Sequence, residues 1–391
     1  RPLGNSILHR STGGRCGRCR GAGMTRTTKY DAILFASFGG PRGPEDVMPF
    51  LENVTRGRGV PRTRLEEVAQ HYVELGGQSP INEQNRELIA ALETELRERG
   101  VDVPISWGNR NWAPFMSEAL QQVHDDGRSM VLGLATSAYS SYSGCRQYRE
   151  DFAAALIDTE LAGKMSIDKV RVYFDSPGFL EPFADGIIEA LNAFRAADAD
   201  ISNVHVFFTT HSIPKDMGET SGPPGMFQTT GGAYEAQHLA AARLVAQMVS
   251  AQGTHMPEWE LTYQSRSGPP QVPWLEPDIN DALRSAKEQG VTAAIVVPLG
   301  FISDHVEVIW DLDREAAETC KEIELPMQRV RTPGTDPRFV SSLADLIVER
   351  IDGIPAEALS ELGPWQVPCA PGCCKNLRAE KPHVAGEDSA F

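Results

Sequence analysis

The 391-residue chain reads as an α/β protein made of two open, parallel, four-stranded sheets, each flanked by helices. Three observations lead there. From Tyr30 onward, short β-rich apolar runs alternate with amphipathic helical stretches. The strand runs are near-continuous in apolar residues, the pattern of parallel strands covered on both faces. Eight such runs occur, but long excursions follow the first and the fifth, which breaks the even rhythm of a closed barrel.

The strands are expected at 31–38, 103–109, 130–137, 169–174, 204–210, 260–266, 292–301 and 328–331. Helical periodicity marks 115–124, 179–194, 234–249, 278–289 and 336–351. One lobe is therefore expected at 29–165 and a second at 166–335. A helix at 336–353 should pack back on the body, before a Cys-bearing tail at 354–391. Residues 1–28 are set apart as a disordered or non-native leader. The first 23 hold five Arg, six Gly and no acidic residue before Met24, where the natural protein is expected to begin. Cys16 and Cys19 read as a chance pair, because half a zinc knuckle needs a second pair nearby.

Composition excludes several classes. The chain has 53 acidic against 37 basic residues, a net charge of -16, which argues against nucleic-acid binding and suits attraction of metal cations. Its longest apolar run, 292–302, contains a proline and falls well short of the ~20 residues a bilayer span needs. No secretory signal is visible, and seven cysteines in so long a chain are not a disulfide framework. The expectation is a cytoplasmic protein, monomeric or weakly dimeric, without a membrane span.

Open parallel sheets bind ligands at the carboxyl ends of their strands. Those ends carry Phe38-Gly39-Gly40-Pro41, Asn109-Arg110-Asn111-Trp112, Ser137 to Ser143, His211-Ser212-Ile213-Pro214, Gln264-Ser265-Arg266 and Ser303-Asp304-His305-Val306-Glu307. Together they describe a cleft for a flat aromatic ligand with acid–base chemistry at its centre. An isolated histidine at a strand end is commonly a core residue bonded to a carbonyl. Here Pro214 cannot extend the strand and Ser212 favours a turn, so His211 should project from the sheet. Ser303 is expected to cap the following helix. Asp304 suits a first helical turn, but Glu307, Asp311 and Glu315 continue at four-residue steps and repel one another. Such a stripe, with Asp304 at its head, reads as a hydrated path for a divalent cation, with His305 as a proton relay. Gly39-Gly40 and Gly76-Gly77 match neither a dinucleotide fingerprint nor a P-loop, so no nucleotide site is expected.

Six motifs resemble ferrochelatase, in order and from about Tyr30 to Ile351. They are Phe38 to Pro41, Gly76-Gly77-Gln78-Ser79-Pro80-Ile81, His211 to Pro214, Gln264-Ser265, Pro273-Trp274-Leu275 and Phe301 to Glu307. The resemblance implies the chelatase fold, two Rossmann-like lobes with the active-site cleft between them, and insertion of Fe2+ into a porphyrin in heme biosynthesis. The chain looks most like actinobacterial members, which convert coproporphyrin III to coproheme. Protoporphyrin IX is the alternative substrate. A non-catalytic tetrapyrrole or metal binder and a two-lobed solute-binding protein are the rival classes. By resemblance, His211 is the family's histidine and Glu307 the glutamate facing it across the macrocycle, on opposing walls between the lobes. Both would touch Fe2+. Asp311 and Glu315 match the family's acidic ridge on a π-type helix. Phe38, Ser79, Arg110, Tyr142 and Trp274 would contact the porphyrin, Arg110 through a propionate. Some relatives carry tyrosine at the position of Phe38, which has no oxygen and cannot ligate iron.

The tail holds Cys369, Cys373 and Cys374 within six residues. A disulfide, a zinc site and an iron–sulfur cluster compete for this pattern. A reducing compartment disfavours the first and the adjacent pair is unusual for the second. A cluster needs a fourth thiolate. Cys145 falls where cluster-bearing ferrochelatases supply a distant ligand, so the resemblance implies a [2Fe-2S] cluster on Cys145, Cys369, Cys373 and Cys374. Cys320 is expected to be a buried thiol.

Overall fold

A computed structural model describes residues 29–57 and 59–389. The expected leader, with Cys16 and Cys19, lies outside the described residues. The first sheet contains β1 (Ala32–Ser37), β2 (Ile105–Asn109), β3 (Met130–Ala135) and β4 (Ser166–Lys169), all parallel and in the order β2-β1-β3-β4. The second contains β5 (Val204–His211), β6 (Glu258–Gln264), β7 (Ala293–Val297) and β8 (Met327–Arg329), parallel in the order β6-β5-β7-β8. The two orders are one topology written twice, so β1 matches β5 and β3 matches β7. Every residue of β1 and β7 is buried, as strands covered on both faces must be.

Two expected strands are shorter or displaced. The fourth was expected at 169–174, yet pairing ends at Lys169 and only the Val170 N–H continues it, to the Gly133 carbonyl. Val170, Val172, Tyr173 and Phe174 are buried by packing between the lobes, so their apolar character marks the core and not a ladder. The seventh stops at Val297 because Pro298 lacks a donor. Gly300 then packs so tightly that a Cβ would lie 2.1 Å from Thr210 Oγ1. The excursion after β1 folds into helices Pro44–Val54, Arg62–Glu74 and Ile81–Glu98. The last buries Ile81, Leu88, Leu92 and Leu96 along one face.

One contiguous core joins the lobes. It includes Phe35 and Leu132 from the first sheet, Phe208 and Ile295 from the second, and Phe179, Phe183 and Phe339 from helices between them. Helix Pro177–Ala196 meets helix Pro337–Asp352 at Gly178, where a Cβ would sit 1.9 Å from the Arg338 carbonyl oxygen. The seam is pinned by polar contacts as well. Tyr139 donates to the Leu299 carbonyl (3.0 Å), and Ser140 exchanges two hydrogen bonds with Gln237 (2.7 and 2.9 Å). Past Gly353 the described residues form neither helix nor strand, yet they are tied to the body. Trp365 stacks on Phe227, Ser360 donates to Asp175, and Asn376 donates to Glu150. Among the described residues no helix is long and apolar enough to cross a membrane.

Candidate active site

His211 is the last residue of β5, in register with Gln264 at the end of β6. The chain then leaves the sheet. Ser212 Oγ donates to the Leu275 carbonyl (2.8 Å), Leu275 N–H donates to the Ile213 carbonyl (3.0 Å), and Pro214 bridges Trp274. Tyr234, on helix Gly232–Ala251, donates to the His211 carbonyl (2.8 Å). The imidazole Nδ1 faces the Ser212 carbonyl at 2.5 Å. A carbonyl only accepts, so Nδ1 carries the hydrogen, and in the neutral imidazole Nε2 keeps its lone pair.

The acidic residues follow β7. The helix begins at Val306 with His305 at its cap position, so Ser303 is not the cap. Arg329 holds Asp304 out of the helix at 2.8 Å and also grips Asp313 through two nitrogens, while Gln84 donates to the Asp304 carbonyl. Asp304 therefore serves as an anchor, and the free part of the ladder starts at Glu307. From Ile309 to Ala316 the helix is of π type, and it continues as α from Ala317 to Glu322. The wider turn brings residues five apart together: Trp310 Nε1 donates to Glu315 at 2.9 Å.

Glu307 and Glu315 are exposed, whereas Asp311 is half-buried. Asp311 accepts from Ser265 Oγ and from Gln264 Nε2 (3.1 Å), which tie it to the end of β6. Burial pushes its carboxyl up to about 7. The Ser265 bond opposes this, the negative charges of Glu307 and Glu315 add to it, and His211 opposes it. His305 is drawn below the usual imidazole range, first by burial, with Glu307 opposing and His211 contributing. His211, Glu307, Asp311 and His305 thus form one electrostatic cluster. His211 and Glu307 both belong to the second lobe, His211 closing β5 and Glu307 following the neighbouring strand β7.

The first lobe supplies the facing wall. Phe38, just past β1, exposes 39% of its surface and meets Phe50 edge-on at 6.2 Å. The Tyr72 hydroxyl is held protonated by burial and by nearby Glu307. His71 stacks on Trp310 at 3.9 Å, closing helix Arg62–Glu74 against the ridge. Nothing in the sequence marked His71 or Tyr72, which look like any amphipathic helix positions. Gln264 and Ser265 sat in a recognised motif, but their bonds to Asp311 depend on strand register.

The remaining expected porphyrin contacts are placed differently. Ser79 is buried under Gly40, where a Cβ would approach it to 2.5 Å. Trp274 has a buried indole N–H without a hydrogen-bond partner. Arg110 is paired with Asp151 at 2.5 Å and lies 4.1 Å over the Tyr148 ring, so its charge is already matched; only Nη2 lacks a partner. The Tyr142 hydroxyl bonds Glu150 (3.1 Å) and Asn376 (3.0 Å), and its pKa is pushed up to about 12 by burial and by Glu150. It faces the tail.

The tail brings the four expected cysteines together. Cys145 lies on a π-helix, Tyr142–Arg146, and its sulfur meets those of Cys369 and Cys374, while Cys373 meets the same two. Cys373 and Cys374 sulfurs are 3.8 Å apart, and the Gly222 N–H donates to Cys374 Sγ at 3.2 Å. All four are buried and free, as is Cys320. Mutual hydrogen bonds hold Cys145 and Cys373 well below the usual thiol range and raise the other two. Among the described residues no three His, Cys, Asp or Glu side chains stand ready to hold a single metal ion. The thiols instead touch one another, a donor set whose chemistry fits a four-thiolate group.

Two doubly wound lobes with a histidine and an acidic π-helix at one sheet's carboxyl edge define a chelatase-type α/β protein. The ferrochelatase family matches residues 30–351, and the chain belongs to that family. Close relatives share nearly its whole length. A coproporphyrin III ferrochelatase of Leifsonia xyli is 54% identical over 375 residues, covering 93% of this chain and 96% of the relative. Those of Streptomyces coelicolor and Tropheryma whipplei are 50% and 48% identical, covering 93% and 92% of this chain and 97% and 92% of their own.

Proposed function

We propose that the protein inserts Fe2+ into coproporphyrin III, releasing two protons and coproheme. The convergence of His211, Glu307 and Asp311 at the ends of β5 to β7 supports iron insertion most directly. The substrate rests on the activity named for the three relatives. A free-base porphyrin holds two weakly acidic N–H protons in a rigid ring, and Fe2+ keeps its waters. The protein must bend the ring, accept the protons and desolvate the metal. In this reading the free Nε2 of His211 accepts a pyrrole proton and contacts iron transiently. Glu307 donates to the metal or relays protons, Asp311 and Glu315 lead hydrated iron inward, and His305 passes protons outward. Phe38 packs on the ring.

The experiment is anaerobic metalation of coproporphyrin III and protoporphyrin IX by one preparation. Preferential turnover of coproporphyrin III supports the proposal; faster turnover of protoporphyrin IX overturns the substrate. Tight binding of either porphyrin without metalation would favour a non-catalytic binder.

We further propose that Cys145, Cys369, Cys373 and Cys374 hold a [2Fe-2S] cluster that ties the tail to the first lobe. Such a group, when bound, supplies a cross-link and a one-electron redox couple. The free state of all five described cysteines suits a reducing, cytoplasmic setting. A brown protein with equal iron and sulfide supports the cluster, and a colourless one carrying zinc without sulfide overturns it.

A further inference from the structure

We propose that Tyr234 is a positioning residue for iron insertion, its hydroxyl holding the peptide that aims the His211 imidazole. The inference rests on the reading of His211 as proton acceptor. Buried Tyr234 has one hydroxyl hydrogen and two neighbours for it, the His211 carbonyl and Thr210 Oγ, each at 2.8 Å. A carbonyl only accepts, so the Tyr234 hydrogen goes to His211 and Thr210 donates to the Tyr234 oxygen. Burial raises the phenol well above its ordinary pKa, so that hydrogen stays in place.

His211 depends on this bond through its backbone. The peptide joining His211 to Ser212 is held at both ends, its carbonyl by Tyr234 and its N–H by the Gln264 carbonyl at 2.8 Å. The next carbonyl, of Ser212, receives the imidazole Nδ1–H. The tautomer that leaves Nε2 free is therefore set by two successive peptide planes, and Tyr234 holds the first. Without the hydroxyl, the His211 carbonyl is free to turn toward the cleft, and the imidazole turns with it. Tyr234 is itself braced. Its N–H donates to Ser221 Oγ at 2.9 Å, its carbonyl accepts from His238 Nδ1 at 2.7 Å, and its ring meets His238 and Tyr139 edge-on at 4.5 and 6.5 Å. Tyr139 is the residue that donates to the Leu299 carbonyl, on the loop leading from β7 to Glu307. One buried aromatic group thus braces both strand exits, the one carrying His211 and the one carrying Glu307.

The test compares the full chain as wild type, Tyr234→Phe, Thr210→Val and His211→Ala. Anaerobic iron insertion into coproporphyrin III gives kcat and the porphyrin KM, and thermal unfolding checks the fold. NMR of nitrogen-labelled histidine reads the tautomer of His211, whose signal is assigned by its loss in His211→Ala. Tyr234→Phe should lower kcat by about 10–100-fold, the usual worth of a bond that orients a ligating histidine, with the porphyrin KM unchanged. Its His211 signal should move from the Nδ1–H form toward a mixture of the two tautomers. Thr210→Val keeps the hydroxyl on His211 and should cost far less; an equal loss would make the effect one of strand packing and overturns the role. Tyr234→Phe within a few-fold of wild type, beside an inactive His211→Ala, overturns the role of Tyr234 and leaves His211 as proton acceptor. An active His211→Ala overturns the reading of His211, and this role with it. If Tyr234→Phe does not fold, the wild type still decides, since an Nε2–H signal for His211 overturns the arrangement and an Nδ1–H signal supports it.

Discussion

Two π-helices follow equivalent strands, Tyr142–Arg146 after β3 and Ile309–Ala316 after β7, and they face opposite electrostatic worlds. Around the first stand buried Arg146, Arg149 and Lys169 and half-buried Arg110, and its side chains are partnered by the tail. Around the second, Glu307, Asp311 and Glu315 repel one another and two of the three face water. The strand ends beside them differ in the same sense, with apolar Phe38 after β1 and His211 closing β5. A duplicated topology has thus been divided between a sealed side tied down by the tail and an open acidic one. Surplus positive charge marks the sealed side; surplus negative charge marks the side a metal cation can approach.

The sharpest way to break this division is at His211. His211→Ala should lower iron insertion by ~10²–10⁴-fold, the worth of a positioned general base, while the exposed Phe38 wall still binds porphyrin. Stopped-flow metalation together with porphyrin fluorescence quenching reads both quantities. Activity within a few-fold of wild type would remove His211 from the reacting side altogether.

Asp311 sharpens the contrast through pH. Its carboxyl titrates near 7 in the fold against an ordinary value of 3.8, so the folded protein holds the proton more tightly than the unfolded chain. Stability from this group is fully present below about 4, falls as pH rises through 7, and is then lost. Asp311→Asn should flatten that slope in metal-free protein and stabilise it above pH 7, on the order of 1–4 kcal/mol. Chemical denaturation between pH 5 and 8 measures it; parallel profiles for the two proteins would mean that Asp311 is already ionised at neutrality.

Arg329 tests the anchored end of the open ridge. It neutralises Asp304 and Asp313 together, so Arg329→Met should leave two carboxylates without their partner and cost about 2 kcal/mol in denaturant midpoint. A neutral result would place both acids in water and return Asp304 to the metal path.

How much of this was legible in the sequence divides along the same line. Eight strands were readable because apolar runs act locally, although the fourth lies at Ser166–Lys169, and the chain's exit from the sheet just past His211 was readable because a proline acts locally. The spacing of Glu307, Asp311 and Glu315 was equally plain. What escaped was decided by distant partners: Arg329 captures Asp304, Asp151 captures Arg110, and Asn376 with Glu150 turns Tyr142 toward the tail. No periodicity encodes which long side chain reaches which acid across 16 to 226 residues. The thiol quartet was visible only in part, since nothing local joins Cys145 to the tail.

The smallest expected effect lies at the outer end of the ridge. Glu315 is exposed and accepts the Trp310 indole N–H, so Glu315→Gln keeps the bond and removes only the charge. One unit charge ~4 Å from another in water is worth about 1 kcal/mol, which for a passing divalent ion amounts to a few-fold in the apparent KM for Fe2+. The KM for porphyrin should not move, because the change lies away from the Phe38 wall. Raising ionic strength should shrink the difference between the two proteins, since screening acts on exposed charges first. If Glu315→Gln instead changes the porphyrin KM, or leaves the iron KM alone at low salt, then the ridge does not conduct the metal and its negative charge must be explained without it.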